Sequence, residues 1–181
     1  LHRPFRRQRQ MCIRDRGFPD VQKAYNPITS IALYDCITEK YFTYCFDPHK
    51  RIESYEEGEE VVEFYETEYE MLNKFFQKYL EIRPTIISGW NSEFFDIPYL
   101  YNRAVRILGP ELANLLSPIS QVIYSEYKKK HTIAGVSSLD YLQLYRQFTF
   151  TMQSSYRLDY IGEVEVGMKK VEYEGTLNDL Y

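Results

Sequence analysis

The best-marked element of the chain is a helix in its first half. Four apolar residues lie three or four positions apart, namely Leu72, Phe75, Phe76 and Tyr79. This spacing predicts one buried face of an α-helix. Thr67 and Glu70 have the T-x-x-E spacing of a capping box, and Pro84 is poorly compatible with a continuing helix. The helix is therefore predicted between Thr67 and Pro84.

A second helix is predicted to begin at Asp96. Its apolar stripe consists of Ile97, Leu100, Tyr101, Ala104, Ile107 and Leu108. Pro98 falls in the first turn, where proline is tolerated, and Gly109 follows the last apolar residue. Because aspartate is a preferred N-cap residue, Asp96 is predicted to cap this helix.

Segments rich in β-branched and aromatic residues predict the strands. Residues 27–35 and 40–46 are joined by a short link, which favours a hairpin, and residues 85–90 have the composition of a buried strand. Residues 121–141 have two β-rich halves around residues 126–130, which predicts a second hairpin. The acidic segment 47–66 is predicted to be a solvated loop.

The remaining elements complete an α/β pattern. A third helix, for which a strand is the alternative, is predicted from Leu139, a weaker helix at residues 156–164, and an irregular or extended end at 167–175. The order of elements predicts a mixed sheet with flanking helices and a protruding β-hairpin. Ligands of open α/β sheets lie beyond the carboxyl ends of strands, and Asp96 follows such an end.

Composition narrows the class of protein. A length of 181 residues predicts one domain, and 44% hydrophobic with 27% charged residues is ordinary for a globular chain without membrane spans. Three cysteines without CxxC spacing favour a reducing compartment. The net charge of −4 speaks against a broad basic DNA-binding face, but it is compatible with a nuclease that meets phosphates through metal ions.

Residues 1–16 differ from the rest of the chain. They are rich in arginine, contain no glutamate and show neither a strand nor a helix period. A disordered basic arm, a nucleic-acid-binding arm and a non-native sequence are the three interpretations. The segment is therefore set apart from residues 17–181, which are predicted to form the domain.

Asp96 stands in a longer recognisable string. Residues 91–96 have the form N-x-x-x-F/Y-D, which resembles the second exonuclease motif of family B DNA polymerases. The segments "NPITSIALYD", "FDIPYLYNRAVRILG", "GVSSLDYLQLYRQFTF", "YRLDYI" and "EYEGTLNDL" occur in the order seen in the replicative family B polymerases of tailed bacteriophages. The resemblance covers residues 17–181 and implies part of a 3′-to-5′ proofreading exonuclease domain with a ribonuclease H-like fold.

The resemblance also implies roles for individual residues. In this family carboxylates hold two divalent metals, usually Mg²⁺, and Asp96 matches one metal-binding, catalytic carboxylate. Asn91 and Phe95 are expected to hold the single-stranded 3′ end of DNA by hydrogen bonding and stacking. Leu158 is expected to pack against that end. Three lysines are expected at the tip of the hairpin near phosphates, namely Lys128, Lys129 and Lys130.

The sequence departs from the family pattern at three places. The first motif, D-x-E, is expected shortly before Gly17 and has no match there, and the third, Y-x-x-x-D, is expected beyond Tyr181. Arg157 stands where the family often has serine or threonine. With one of three metal-binding motifs, the isolated chain is expected to be inactive, although the parent is an enzyme.

The expected partners are DNA, as a single-stranded 3′ end or a primer-template, and the rest of the polymerase chain. The expected location is the cytoplasm of an infected bacterium, without membrane attachment. Two alternatives stay open from the residues alone. One is a non-catalytic module that binds single-stranded DNA or a protein through its aromatic surface. The other is an unrelated helix-on-sheet domain in which Asp96 only caps a helix.

Overall fold

The computed structural model describes residues 19–168 of the chain. The interpretations of residues 1–16 and of the extended end after residue 168 lie outside the described residues. The strands are β1 (Ser30–Asp35), β2 (Lys40–Phe46), β3 (Tyr55–Glu57), β4 (Glu60–Tyr65), β5 (Ile86–Gly89), β6 (Val122–Ser125), β7 (Lys130–Ile133) and β8 (Ser137–Asp140). The helices are α1 (Glu68–Ile82), α2 (Asp96–Ile107), α3 (Pro110–Ala113), α4 (Tyr141–Phe148) and α5 (Leu158–Val166), with a 3₁₀ turn at Asn114–Leu116. The mixed α/β architecture is as predicted.

The first four strands form one mixed sheet in the order β1-β2-β4-β3. Strands β1 and β2 make the predicted antiparallel hairpin, with Leu33 opposite Phe42. Strand β4 then lies parallel to β2, with Phe42 opposite Val61. The sheet therefore combines both pairing modes, and its central strands are β2 and β4.

The prediction of a solvated loop at residues 47–66 is wrong. This segment contains β3 and β4, joined by a turn in which Gly58 has a φ of 59°. Val62 is buried, and Val61 and Tyr65 pack against the core. The acidic residues of this segment led to the prediction of a loop, because overall composition does not report which side of a strand is buried.

Helix α1 confirms the helix predicted between Thr67 and Pro84, and its apolar face forms much of the core. Thr67 occupies the N-cap, and its Oγ1 accepts a hydrogen bond from the Glu70 amide at 3.2 Å. Arg83 ends the helix in the left-handed conformation. The apolar face of α1 is buried, and its members are Met71, Leu72, Phe75, Phe76 and Tyr79. Tyr79 also donates its hydroxyl to the carbonyl of Leu116 at 2.9 Å, which fastens α1 to the 3₁₀ turn.

A buried ion pair joins α1 to α2. Arg103 donates from Nε to Glu68 Oε1 at 2.8 Å, and both side chains are about nine-tenths buried. Arg103 Nη1 also donates to the carbonyl of Tyr25, and Glu68 Oε1 accepts from the amide of Ile28. The pair therefore fixes the segment before β1 against both helices, with its charges compensated as burial requires.

Strands β5 and β8 form a separate parallel pair, and β6 and β7 form the predicted antiparallel hairpin. Strand β5 lies within the segment predicted as a strand, but it is not buried, since Ile86 is 58% exposed. The helix predicted from Leu139 is α4, which begins at Tyr141, because residues 137–140 form strand β8 and pair with β5. None of the helices within residues 19–168 has the length and apolarity needed to cross a bilayer.

Candidate functional site at the carboxyl ends of strands β5 and β8

Two chain segments leave the parallel strand pair at the same edge. Gly89, the last residue of β5, is paired with Asp140, the last residue of β8. From Gly89 the chain passes through a short turn into α2, and from Asp140 it passes directly into α4. Because parallel strands end at one edge, Asp96 and Asp140 are brought together there, although they are far apart in sequence.

The turn between β5 and α2 is compact. Asn91 adopts the left-handed conformation, with a φ of 61°, which asparagine tolerates better than most residues. Its carbonyl accepts from the amides of Phe94 and Phe95 at 3.3 and 3.2 Å. The carbonyl of Ser92 accepts from the Ile97 amide at 2.9 Å, which joins the turn to the first turn of α2.

Asp140 holds this turn from the neighbouring strand. Its carboxylate accepts from the amides of Asn91 at 3.1 Å and Glu93 at 3.0 Å. It also accepts from the Leu142 amide at 3.0 Å and thereby caps α4. The residue is only 3% exposed. Asp140 is not among the site residues predicted from the sequence, although an aspartate between a β-rich segment and an apolar helical period is an N-cap signal.

Asp96 is not the cap of α2. The N-cap position belongs to Phe95, whose side chain cannot cap, and Asp96 is the first residue of the helix. An acid there still interacts favourably with the helix N-terminus. The residue as a whole is exposed, but its carboxyl group is partly desolvated, and this desolvation raises the pKa of Asp96. A hydrogen bond from its own amide lowers the pKa by a smaller amount, and the nearby charge of Asp140 raises it.

The two residues expected to hold DNA flank the same turn. Asn91 opens it and is fixed by Asp140 through its backbone, so its side chain is left for other contacts. Phe95 closes it and stacks on Tyr99, with ring centroids 5.8 Å apart and planes inclined by 24°. Phe94, one position earlier, is 43% exposed. Asn91, Phe95 and Asp96 therefore lie along the turn and at the first residue of α2, beside the Asp140 carboxylate.

Leu158 lies on a segment that contacts the end of β5. It is the first residue of α5 and is 59% exposed. Trp90 donates its indole N–H to the carbonyl of Tyr156 at 3.2 Å, and its ring lies against those of Tyr141 and Tyr145. The segment before Leu158 is thereby held next to Trp90, which directly precedes Asn91 in the chain.

The three lysines of the hairpin do not share one environment. Lys128 and Lys129 are exposed in the turn between β6 and β7. Lys130 is the first residue of β7, and its Nζ lies 2.6 Å from Oε2 of Glu93. The expectation that all three lie at the tip is thus wrong for Lys130, because strand pairing extends to that residue.

The donor set at this edge does not fit a two-metal centre. Mg²⁺ prefers carboxylate oxygens, and two adjacent cations need several of them. The oxygens of Asp140 already accept three amide hydrogens. Across residues 19–168 no group of three or more histidine, cysteine, aspartate or glutamate side chains is placed to hold a metal ion. Asp96 is the carboxylate at this edge that remains available for a metal.

Comparisons with known proteins identify the family of the chain. A family model described as DNA polymerase family B, exonuclease domain, matches residues 11–161. The DNA-directed DNA polymerase of Escherichia phage RB69 is 35% identical over 91% of this chain and 21% of its own length. The DNA-directed DNA polymerase of Enterobacteria phage T4 is 33% identical over 90% of this chain and 21% of its own length. The catalytic chain of DNA polymerase epsilon from Saccharomyces cerevisiae is 26% identical over 61% of this chain and 5% of its own.

The mixed sheet with its flanking helices fits the exonuclease domain of a DNA polymerase. The chain belongs to the family B DNA polymerases and carries sequence of their exonuclease domain. The resemblance to phage polymerases is confirmed, and the alternative of an unrelated helix-on-sheet domain is excluded. The chain spans about a fifth of the length of the phage relatives it matches.

Proposed function

We propose that this chain is part of the 3′-to-5′ proofreading exonuclease domain of a phage replicative polymerase and binds the single-stranded 3′ end of DNA. One observation carries the proposal: Asn91, Phe95 and Asp96 meet at the carboxyl edge of a parallel strand pair. This is where open α/β sheets bind their ligands. The fold class that goes with this function is ribonuclease H-like.

Each residue has a distinct part in the proposal. Asn91 hydrogen-bonds the terminal nucleotide, and Phe95 stacks on a base, an interaction that tolerates any sequence. Leu158 packs against the DNA end from the start of α5. Lys128 and Lys129 meet phosphates from the hairpin turn, and Lys130 contributes to this cationic segment from the start of β7.

Asp96 is the catalytic carboxylate and metal ligand of this chain in the proposal. Exonuclease domains of this family generally depend on divalent metals, and Mg²⁺ is assigned to the intact parent polymerase. One carboxylate does not hold two such cations in water, since each must keep enough anionic ligands to offset their repulsion. The isolated chain is therefore proposed to bind DNA ends without hydrolysing them.

The remaining partners follow from the parent protein. In it the domain receives the 3′ end of a primer-template from the rest of the polymerase chain. The proposed place of action is the cytoplasm of an infected bacterium, where a phage polymerase meets its template.

Two measurements test this function. The first is fluorescence anisotropy with a labelled linear oligo-dT and a circular single-stranded DNA of equal length as competitor. We expect micromolar binding of the linear strand, weaker competition by the circle, and weaker binding by Asn91→Ala. The second is incubation of a 5′-labelled oligonucleotide with the chain and Mg²⁺. Shortening of the oligonucleotide that disappears in Asp96→Ala would show the inactivity to be wrong.

The alternative of a non-catalytic binding module is favoured by exposed aromatic and apolar side chains at and after the end of α4. Phe148 is 69% exposed, Phe150 is fully exposed and Met152 is 90% exposed. If linear and circular strands bind equally, and Asn91→Ala has no effect, the module is the better description. Binding that prefers the linear strand over the circle and is weakened by Asn91→Ala supports the exonuclease.

A further inference from the structure

We propose that Asp140 is a positioning residue, which holds the turn at residues 91–93 from strand β8 and thereby sets the direction in which Asn91 and Asp96 face the DNA end. This inference rests on the proposed function, because it assigns Asp140 a part in that same site. Asp140 itself touches no DNA in the proposal.

The hydrogen bonds join segments that are distant in the chain. The partners of Asp140 in the turn are 49 and 47 residues away in sequence, at 3.1 and 3.0 Å. Oδ1 accepts from Asn91 and from Leu142, and Oδ2 accepts from Glu93. An ionised carboxylate is an acceptor at both oxygens, so one buried side chain satisfies three amides at once.

The turn needs such external support. Asn91 lies in the left-handed region, where its own backbone preference gives little stability. Behind the turn the space is closed, since a Cβ placed on Gly89 would lie 2.9 Å from Cβ of Ser92. The turn is therefore fixed between the end of β5 on one side and the Asp140 carboxylate on the other.

A purely structural role is the competing interpretation. In it Asp140 only caps α4 through the Leu142 amide, as aspartate commonly does. Asp140→Asn separates the two roles. Its amide oxygen can keep the bonds to Leu142 and Asn91, but its NH₂ group faces the Glu93 amide, and two donors cannot bond each other.

Asp47 provides a matched control for this substitution. It is 4% exposed, follows strand β2, and accepts from the amides of His49, Arg51 and Ile52. Asp47 also accepts from Nε of Arg51 at 3.2 Å. Asp47→Asn therefore removes a buried carboxylate that holds backbone amides in another loop, together with its ion pair. Any general effect of losing such a carboxylate should be common to both variants.

The first measurement is amide hydrogen exchange on the full ¹⁵N-labelled chain. In the wild type, the Asn91 and Glu93 amides should exchange about tenfold or more slowly than the Phe94 amide, whose bond is local to the turn. Asp140→Asn should accelerate exchange at Glu93 by about tenfold and leave Leu142 protected. Asp47→Asn should change neither. Equal exchange of the three wild-type turn amides would overturn the proposal even if the variant does not fold.

The second measurement is binding of labelled linear oligo-dT to the same proteins. We expect Asp140→Asn to weaken binding about tenfold, with Asp47→Asn like the wild type. Faster exchange at Glu93 with unchanged binding would overturn the positioning role. If the wild type binds no oligonucleotide, the proposed function fails, and the exchange data alone decide whether Asp140 holds the turn.

Discussion

Lys130 on strand β7 forms an ion pair with Glu93 in the turn that precedes α2, with Nζ 2.6 Å from Oε2. The side chains are 25% and 13% exposed, so the pair is screened less than an ordinary surface pair. Glu93 also donates its amide to Asp140. The turn is therefore attached to the hairpin by a side chain and to β8 by its backbone.

This pair has a measurable consequence for stability. Lys130→Met should lower the free energy of unfolding by about 1–2 kcal/mol, because it leaves the largely buried carboxylate of Glu93 without its partner. Lys128→Met is the matched control, since Lys128 is exposed in the adjoining turn, and its effect should stay within about 0.5 kcal/mol. Urea unfolding followed by circular dichroism gives both values. Equal effects of the two substitutions would show that the ion pair contributes nothing.

The exposed lysines should affect DNA binding in another way. Each phosphate contact to a single strand contributes about 0.7 to the slope of log affinity against log salt concentration. Lys128→Met and Lys129→Met should each reduce that slope by about this amount if the hairpin turn meets the backbone of the DNA. Anisotropy titrations from low to moderate salt provide the slopes. Slopes identical to the wild type would place the bound strand elsewhere.

The stacking residue of the turn can be identified by comparing neighbours. Phe95→Ala should weaken oligo-dT binding by at least about 1 kcal/mol, or about fivefold, because stacking on a base is lost. Phe94→Ala is the comparison, since Phe94 lies in the same turn and is the more exposed of the two rings. Weaker binding in Phe94→Ala alone would assign the stacking role to Phe94 instead. Tryptophan emission from Trp90 serves as the check that both variants keep the fold.

The buried pair of Arg103 and Glu68 should be far more sensitive than a surface pair. Arg103→Met leaves the Glu68 carboxylate buried, and within residues 19–168 the Ile28 amide is then its remaining donor, so a loss of about 3–5 kcal/mol is expected. Glu81→Gln is the control, because it breaks the exposed pair with Lys78 and should cost less than about 0.5 kcal/mol. Thermal or urea unfolding distinguishes them. A small effect for Arg103→Met would mean that the segment before β1 is not held by this pair.

His131 should make stability depend on pH. Its ring packs between Tyr101 and Tyr124, with centroids 4.8 and 5.0 Å away, and Nδ1 has no hydrogen-bond partner within residues 19–168. Burial disfavours the charged ring, so its pKa is lowered from the value of 6.5. As the pH falls, His131 therefore becomes protonated in the unfolded chain at a higher pH than in the folded chain. The stabilisation is fully present above pH 6.5 and is lost as the pH falls from 6.5 to the lower pKa of the folded state.

The comparison of His131→Phe with the wild type isolates this effect. The difference in unfolding free energy between the two should be constant above pH 6.5 and should change in favour of the variant as the pH falls below it. His49→Gln is the control, because His49 is exposed after β2. A pH-independent difference between His131→Phe and the wild type would show that the ring is hydrated or charged in the folded state.

The sequence by itself determined the elements whose signals are local. The period of Leu72, Phe75, Phe76 and Tyr79 located α1, and the capping pair Thr67 and Glu70 located its start. The first hairpin and the hairpin of β6 and β7 followed from β-rich segments with short links. The string from Asn91 to Asp96 indicated the family, because a motif is a property of neighbouring residues.

Only the tertiary structure decided which distant segments meet. Strand β4 was concealed by its acidic neighbours, and the sequence left strand and helix open as alternatives around Leu139, because the identity of β4 and β8 as strands depends on β2 and β5 as partners. Parallel pairing then brought Asp140 to the turn before Asp96, and strand packing brought Lys130 to Glu93. Hydrogen bonds between residues 49 and 37 positions apart leave no period or spacing in the sequence, so the residues that support Asp96 became visible only in the fold.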